Sequence, residues 1–123
     1  MDTVSIKIPA APAYLQVVRL VAAGLAARLK FTLEDIEDLK IAVDELSAYL
    51  TGAQGRDGTL HVTFDVHDDR IEITGRGEFS SNYKIRTHLT ELSQMILQTV
   101  VDNAQLSQDD GKPSFSLVKS KGP

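Results

Sequence analysis

The sequence predicts an α+β fold, a two-layer sandwich in which helices cover one face of a mostly antiparallel sheet. Five short segments alternate apolar and polar residues, and three longer segments carry apolar residues at helical spacing. Their order is strand, helix, helix, hairpin, helix, hairpin, and hairpins favour antiparallel pairing. The chain has 123 residues, is 42% hydrophobic and contains no linker or repeat. We therefore expect a single domain over residues 1–123, with its core at about 4–119.

The first strand and the first helix are separated by two prolines. Residues 4–9 alternate apolar and polar side chains up to the first proline, which predicts a strand. The second proline suits the first turn of a helix, which we predict over residues 13–29. Val17 and Leu20 widen the apolar surface of this helix beyond one side, and Gly24 costs about 1 kcal/mol relative to alanine. We therefore expect the helix to pack against two surfaces.

A second helix and a hairpin follow. Thr32, with an aspartate three residues later, resembles an N-terminal cap, and the helix that it opens runs to about Leu50. Residues 51–58 contain three glycines and are predicted to form a loop. Residues 59–66 and 70–74 alternate apolar and polar side chains on either side of a short polar turn. This pattern predicts a β-hairpin.

The last third of the chain predicts a loop, a helix and a second hairpin. Residues 75–90 are loop-like, and residues 90–102 carry apolar side chains at helical spacing. Residues 104–108 and 114–119 flank an Asp-Gly pair and a proline, which mark a turn between two strands. Residues 120–123 are expected to be frayed.

Composition excludes several classes of function. Lys and Arg number 13 and Asp and Glu 17, and the net charge of -4 argues against direct nucleic-acid binding. The chain has no cysteine, which excludes disulfides and thiolate metal sites, and its three histidines lack a metal-ligand spacing with carboxylates. No basic, apolar leader and no apolar run of membrane length is present. We expect a soluble, unprocessed cytoplasmic protein with no metal site and no membrane contact.

The most informative motif lies in residues 39–50, where Leu-Lys-Ile-Ala-Val-Asp-Glu is followed four positions later by a tyrosine. This spacing places Glu45 and Tyr49 on one face of a helix, about one turn apart. The segment resembles the first nucleotide-site helix of the anti-sigma-factor serine kinases of the GHKL superfamily, in which an asparagine ends the pattern. The resemblance covers nearly all of residues 4–119 and implies a GHKL ATPase-like fold.

In that family, the resemblance implies that the glutamate acts as general base and that the asparagine ligates the magnesium of ATP. Glu45 stands at the general-base position and Tyr49 at the asparagine position. A neutral phenol is a weak magnesium ligand, and its ring fills volume that a nucleotide needs. The alternative is that Glu45 is an exposed helix carboxylate and Tyr49 a packed aromatic residue.

Two further nucleotide elements of the family are altered in this chain. The resemblance places Gly75 where the family has an aspartate that binds adenine, whereas Gly77 matches a family glycine. A Gly-x-Gly pair is weak support, because it also suits a tight exit from a strand. The phosphate-binding lid should follow, but no glycine occurs between Gly77 and the third helix. Lys84, Arg86 and His88 offer positive charge that could bind phosphate in place of the glycines. A solvated basic loop is the better explanation of these three residues.

The strand and helix at the start of the chain resemble the family's sigma-binding region. Arg19 falls where the resemblance implies an arginine that contacts both the sigma factor and its antagonist, and Pro9, Ala11, Leu15 and Gln16 lie on or near the same surface. Arginine is frequent at interface hot spots because it pairs bidentately with carboxylates. The alternative for Arg19 is a helix-face charge whose stem covers apolar surface.

The resemblance therefore implies an anti-sigma-factor-like transcription regulator that binds a sigma factor, its antagonist, or both through the first helix. We expect no cofactor, because the ATP site is degenerate. The enzyme alternative is a serine kinase that uses Glu45 with ATP and magnesium, the metal being held by Asp44, Asp38 or water. A second alternative is a dimerisation or interaction module without a sigma partner.

Overall fold

The computed structural model describes residues 1–80, 85 and 88–122. Its strands are, in chain order, β1 (Asp2–Pro9), β2 (Gly58–Val66), β3 (Arg70–Phe79), β4 (Asn103–Asp109) and β5 (Lys112–Ser120). Its helices are α1 (Leu15–Arg28), α2 (Leu33–Thr51) and α3 (Glu91–Val100). The strands lie in the order β1-β2-β3-β5-β4, and all neighbours are antiparallel. The predicted α+β fold is confirmed.

The core lies between one face of the sheet and the helices. On β2, Leu60, Val62 and Phe64 are fully buried, whereas the residues between them remain partly or wholly exposed. Ile71 and Ile73 repeat this alternation on β3. Such alternation is expected when one sheet face is packed and the other meets solvent. Helix α2 is central to the helical layer, because it contacts α1, α3 and two of the strands.

Helix α1 begins later than predicted, because Pro12–Tyr14 forms a separate 3₁₀ turn. Val18 and Ala22 are fully buried, and the helix contacts both α2 and β2, in agreement with the expected packing on two surfaces. Val17 and Leu20 nevertheless remain 40% and 63% exposed. One side of α1 is therefore apolar and open to solvent.

Helices α2 and α3 each begin at a threonine cap. The Thr32 hydroxyl accepts the N–H of Asp35 at 3.1 Å, which confirms the predicted cap. The Thr90 hydroxyl accepts the N–H of Ser93 at the same distance. Helix α2 ends where Gly52 adopts a φ of 68°, a left-handed conformation that glycine adopts without strain.

The prediction of a loop over residues 75–90 is wrong in its first part. Strand β3 continues through Gly75 to Phe79, and Gly75 pairs with Val62 of β2 and Phe115 of β5. A Cβ atom at position 75 would lie 2.2 Å from the Phe115 ring. Glycine in a strand often marks such a close approach. Here it reflects packing by an aromatic ring rather than the end of the strand.

The ends of the remaining segments also differ slightly from the prediction. Ser120 belongs to β5, and the Lys121 N–H donates to the carbonyl of Asp69 at 2.7 Å, so the expected fraying at residue 120 is wrong. Lys84 and Arg86 lie outside the described residues. Among the helices that the structure describes, none is long and apolar enough to span a bilayer.

Candidate functional site

A shallow groove of about 340 Å³, widely open to solvent, lies between helices α2 and α3. Glu45, Ala48 and Tyr49 of α2 line one side, and Thr90 and Ser93 at the start of α3 line the other. Glu45 and Tyr49 thus share one helix face, in agreement with their predicted spacing. The groove is the place in the fold where the motif of residues 39–50 meets the third helix.

A chain of hydrogen bonds crosses this groove from α3 to α2. The backbone N–H of Thr90 donates to the Tyr49 hydroxyl at 3.0 Å, and the Tyr49 hydroxyl donates to Ser93 Oγ at 2.7 Å. Ser93 Oγ in turn donates to Glu45 Oε2 at 2.6 Å. The Tyr49 hydroxyl is therefore engaged at the start of α3 as both acceptor and donor.

The pKa of Tyr49 is lowered from its ordinary value of 10.0. Burial acts to raise this pKa because it disfavours the charged phenolate, and the negative charge of Glu45 raises it as well. Hydrogen bonds with Ser93 and Thr90, including the one that the Thr90 backbone N–H donates, lower the pKa and outweigh both effects. The contacts of Tyr49 with the start of α3 therefore determine the direction of its pKa shift.

The described residues around Glu45 do not fit a magnesium ion. No group of three or more His, Asp or Glu side chains in the described ranges could hold a metal. Asp44, one ligand suggested for the kinase alternative, pairs with Arg19 at 2.9 Å, and Asp38 lies 3.8 Å from the Lys119 ammonium. Magnesium bound with ATP takes most of its ligands from phosphates and water and only one or two from the protein, and the Tyr49 oxygen at the family's ligand position is already hydrogen-bonded to Thr90 and Ser93.

The two glycines matched to the family's adenine-binding element lie in strand β3, and aromatic rings occupy the space above them. Gly75 and Gly77 are both buried. A Cβ atom at Gly75 would come 2.2 Å from the Phe115 ring, and one at Gly77 would come 2.4 Å from the Phe79 ring. An acidic side chain at position 75 would therefore require movement of Phe115. The described residues around Gly75 do not fit an adenine acceptor.

The residues assigned to partner binding differ in accessibility. Pro9 and Gln16 are exposed, and Ala11 and Arg19 are partly buried. Leu15 is only 8% exposed and packs in the core, so it does not contribute to an open surface. Leu15 belongs to the row of apolar side chains on α1 that faces the core, which explains its burial.

Arg19 makes an ion pair that sequence reasoning missed. Its Nη1 atom lies 2.9 and 3.1 Å from the two carboxylate oxygens of Asp44, which belongs to α2. The side chains are 34% and 42% exposed, so the pair lies at the surface between the two helices. Elsewhere on α1, Val17 and Leu20 are large, exposed apolar residues, as is Tyr14 in the turn that precedes the helix.

Sequence reasoning also missed Thr90, Ser93 and Phe115, which make the contacts described above. The Thr-x-x-Ser pattern at residues 90–93 does indicate a helix start, since threonine is a favoured cap. No local pattern indicates that Tyr49 reaches this cap from another helix, or that Phe115 covers Gly75.

Comparison with known proteins identifies relatives over most of the chain. It is 31% identical over 128 residues to serine-protein kinase RsbW of Bacillus cereus (strain G9842), an alignment that covers 89% of this chain and 80% of that protein. It is 42% identical over 78 residues to RsbW of Bacillus pumilus (strain SAFR-032), covering 59% of this chain and 48% of that protein. The chain thus spans about half the length of the latter relative. No family model matches it.

A solved structure shares the fold. The crystal structure of the RsbU and RsbW domains of Rv1364c from Mycobacterium tuberculosis superposes with a TM-score of 0.69 over 100% of this chain and 34% of that chain. The sequences are 16% identical in this comparison, so it supports the fold alone. The 31% identity to the Bacillus cereus protein over 89% of the chain shows that the chain belongs to the serine-protein kinase RsbW family.

Proposed function

We propose that the chain is a cytoplasmic, anti-sigma-factor-like transcription regulator that binds a sigma factor, its antagonist, or both through the surface of α1. Membership in the RsbW family supports this class of partner. The observation that carries the proposal is the exposure of apolar side chains on α1, the helix that also carries the Arg19–Asp44 ion pair. ATP and magnesium are not required for binding of this kind.

The side of α1 that faces solvent has the composition of an interface. Leu20 is 63% exposed and Val17 40% exposed, one on each side of Arg19 in sequence. A Cβ atom at Gly24 would meet nothing within 4 Å, so no contact inside the described chain explains a glycine there. Exposed apolar residues and arginine are each typical of protein interfaces, and a glycine allows close approach of a partner.

Arg19 is oriented for such a contact. Asp44 accepts hydrogen bonds from the Nη1 atom only, and no other acceptor within the described residues engages the guanidinium. The remaining N–H groups can therefore donate to a carboxylate of the partner. Because the ion pair already restricts the side chain, less conformational entropy is lost on binding.

The regulator would act by occlusion. A sigma factor bound to α1 would have its own contacting surface covered. An antagonist that competes for α1 would release the sigma factor. Phosphorylation of the antagonist by this chain is not part of the proposal, since the residues around Glu45 do not fit magnesium.

Co-purification with the host's sigma factors and antagonist-like proteins, followed by titration calorimetry, tests the proposal. We expect Leu20→Glu and Arg19→Glu each to weaken binding at least about tenfold, because they place a charge in the interface core. Leu33→Glu is the matched control, since Leu33 is 82% exposed at the start of α2. Asp44→Asn separates loss of the ion pair from loss of the arginine. Failure to bind any of these proteins, with both partners folded, would contradict the proposal.

The kinase alternative has its own support in the name of the relatives and in the retained Glu45. It predicts transfer of labelled phosphate from ATP to a partner, with magnesium or manganese present, and loss of transfer in Glu45→Ala. We expect no transfer. Transfer that depends on Glu45 would replace our proposal that the ATP site is degenerate.

The dimerisation alternative uses the same apolar side of α1 for self-association. Sedimentation of the chain alone measures this directly. A homodimer that persists in Arg19→Glu, together with the absence of a heterologous partner, would favour this alternative, because an apolar contact does not depend on the arginine.

A further inference from the structure

The groove between α2 and α3 contains one full charge, the carboxylate of Glu45. The other lining residues, Ala48, Tyr49, Thr90 and Ser93, have uncharged side chains near neutral pH. Ion pairs occur at several other carboxylates of the described chain, but within the described residues no lysine or arginine lies within 4.0 Å of Glu45. Glu45 is partly buried. A partly buried carboxylate without a cation is an electrostatically incomplete arrangement.

The hydrogen-bond donors of the groove are already used inside the protein. The Thr90 N–H donates to Tyr49, the Ser93 N–H donates to Thr90, and the Ser93 hydroxyl donates to Glu45 Oε2. Glu45 Oε1 accepts from no donor within the described residues. Among the residues that the structure describes, the groove therefore presents an unused carboxylate oxygen and few free donors, which favours a cation over an anion.

A metal ion is a poor occupant of this groove. Only one carboxylate faces it, and the described ranges contain no group of three His, Asp or Glu side chains. A hard dication needs several oxygen ligands, whereas a guanidinium group needs one carboxylate and a flat surface. Tyr49 lines the groove beside the carboxylate, and an aromatic ring can bind a cation on its face.

An exposed apolar residue lies beside the groove on α2. Ile41 lies one turn before Glu45 on the same face of α2 and is 44% exposed. A partly buried charge with an apolar neighbour is compatible with a protein interface centred on an arginine.

We propose that this groove is a docking site for an arginine side chain of a protein partner, which pairs with Glu45 and stacks on Tyr49. The identity of that partner rests on the proposed function. Asp44 and Glu45 are consecutive residues, the first directed to α1 and the second to α3. A partner that covers α1 can therefore reach the groove across α2.

Titration of the isotope-labelled chain with a capped Ala-Arg-Ala peptide, followed by amide chemical shifts, tests the site without a sigma factor. We expect saturable shifts at the amides of Glu45, Ala48 and Ser93. The same peptide with citrulline, which has the shape of arginine but no charge, is expected to bind about tenfold more weakly. Equal binding of the two peptides would overturn the proposal.

Glu45→Gln is the decisive variant, because a glutamine oxygen can still accept the Ser93 hydrogen bond while the charge is removed. We expect it to weaken arginine-peptide binding about tenfold. Glu34→Gln removes an exposed carboxylate from the same helix and is expected to bind like the wild type. Unchanged affinity in Glu45→Gln, or shifts at these amides with ATP rather than the peptide, would overturn the proposal. Because no sigma factor is present, these outcomes are independent of the co-purification experiment.

Discussion

At the residue scale, Tyr49 performs a capping role from a neighbouring helix. In a capping box, the side chain of the third helical residue accepts the N–H of the cap residue. The third residue of α3 is Ser93, whose hydroxyl donates to Glu45 instead. The N–H of Thr90 is accepted by Tyr49 of α2. Tyr49, which aligns with a metal-ligand position of the family, thus connects α2 with α3.

Tyr49→Phe tests this role. It removes the acceptor of the Thr90 N–H and the donor to Ser93, so we expect the free energy of unfolding to fall by about 1–3 kcal/mol. Denaturant unfolding measures the change. Tyr14→Phe is the matched control, because Tyr14 is 47% exposed, and we expect a change within about 0.5 kcal/mol. Equal effects of the two variants would contradict the capping role.

The lowered pKa of Tyr49 gives a pH prediction. The phenolate difference absorbance of wild type minus Tyr49→Phe is expected to show a midpoint below 10.0. Because this pKa is lower in the folded than in the unfolded state, the stability that it contributes is fully present above the unfolded pKa of 10.0 and is lost as pH falls through the folded pKa. A midpoint at or above 10.0 would show that burial and Glu45 outweigh the hydrogen bonds.

At the scale of the elements, strand β3 and helix α1 use glycine for different reasons. Gly75 lies beneath the ring of Phe115, its partner on β5, so a side chain there has no space. Gly24 lies on the exposed side of α1 with nothing within 4 Å of its Cβ position. Internal packing explains the first glycine, whereas no contact within the described residues explains the second.

Gly75→Ala and Gly24→Ala form a matched pair. We expect Gly75→Ala to destabilise the fold by about 1–3 kcal/mol, because its Cβ would lie 2.2 Å from the Phe115 ring. We expect Gly24→Ala to stabilise it by about 0.5–1 kcal/mol through helix propensity. Thermal and denaturant unfolding measure both. Tolerance of alanine at position 75 would mean that the Phe115 ring moves easily.

At the scale of the whole molecule, the chain departs from the family's nucleotide pattern at two separate places. Tyr49 lies in α2, and Gly75 lies in β3. Tyr49 and Ser93 are hydrogen-bonded to each other between α2 and α3, whereas Phe115 covers Gly75 on the sheet. Because these contacts are separate, changing one residue back to the family pattern would leave the others in place. This supports a regulator that works through its surface.

A thermal-shift titration with ATP and ADP, with and without magnesium, tests the nucleotide site in the intact chain. A ligand at 100 times its dissociation constant adds about 2.7 kcal/mol of stability. We expect no shift at millimolar nucleotide, because the described residues fit neither magnesium nor the adenine acceptor. A magnesium-dependent rise in Tm would favour the kinase alternative.

The sequence by itself determined the order of strands and helices, the Thr32 cap and the shared face of Glu45 and Tyr49, because alternation, helical spacing and capping depend on residues that are close in the chain. Only the tertiary structure decided the contacts of the site. Arg19 meets Asp44 across 25 positions and Tyr49 meets Ser93 across 44. Local periodicity shows which face a residue occupies, whereas the packing of helices and strands selects what that face meets.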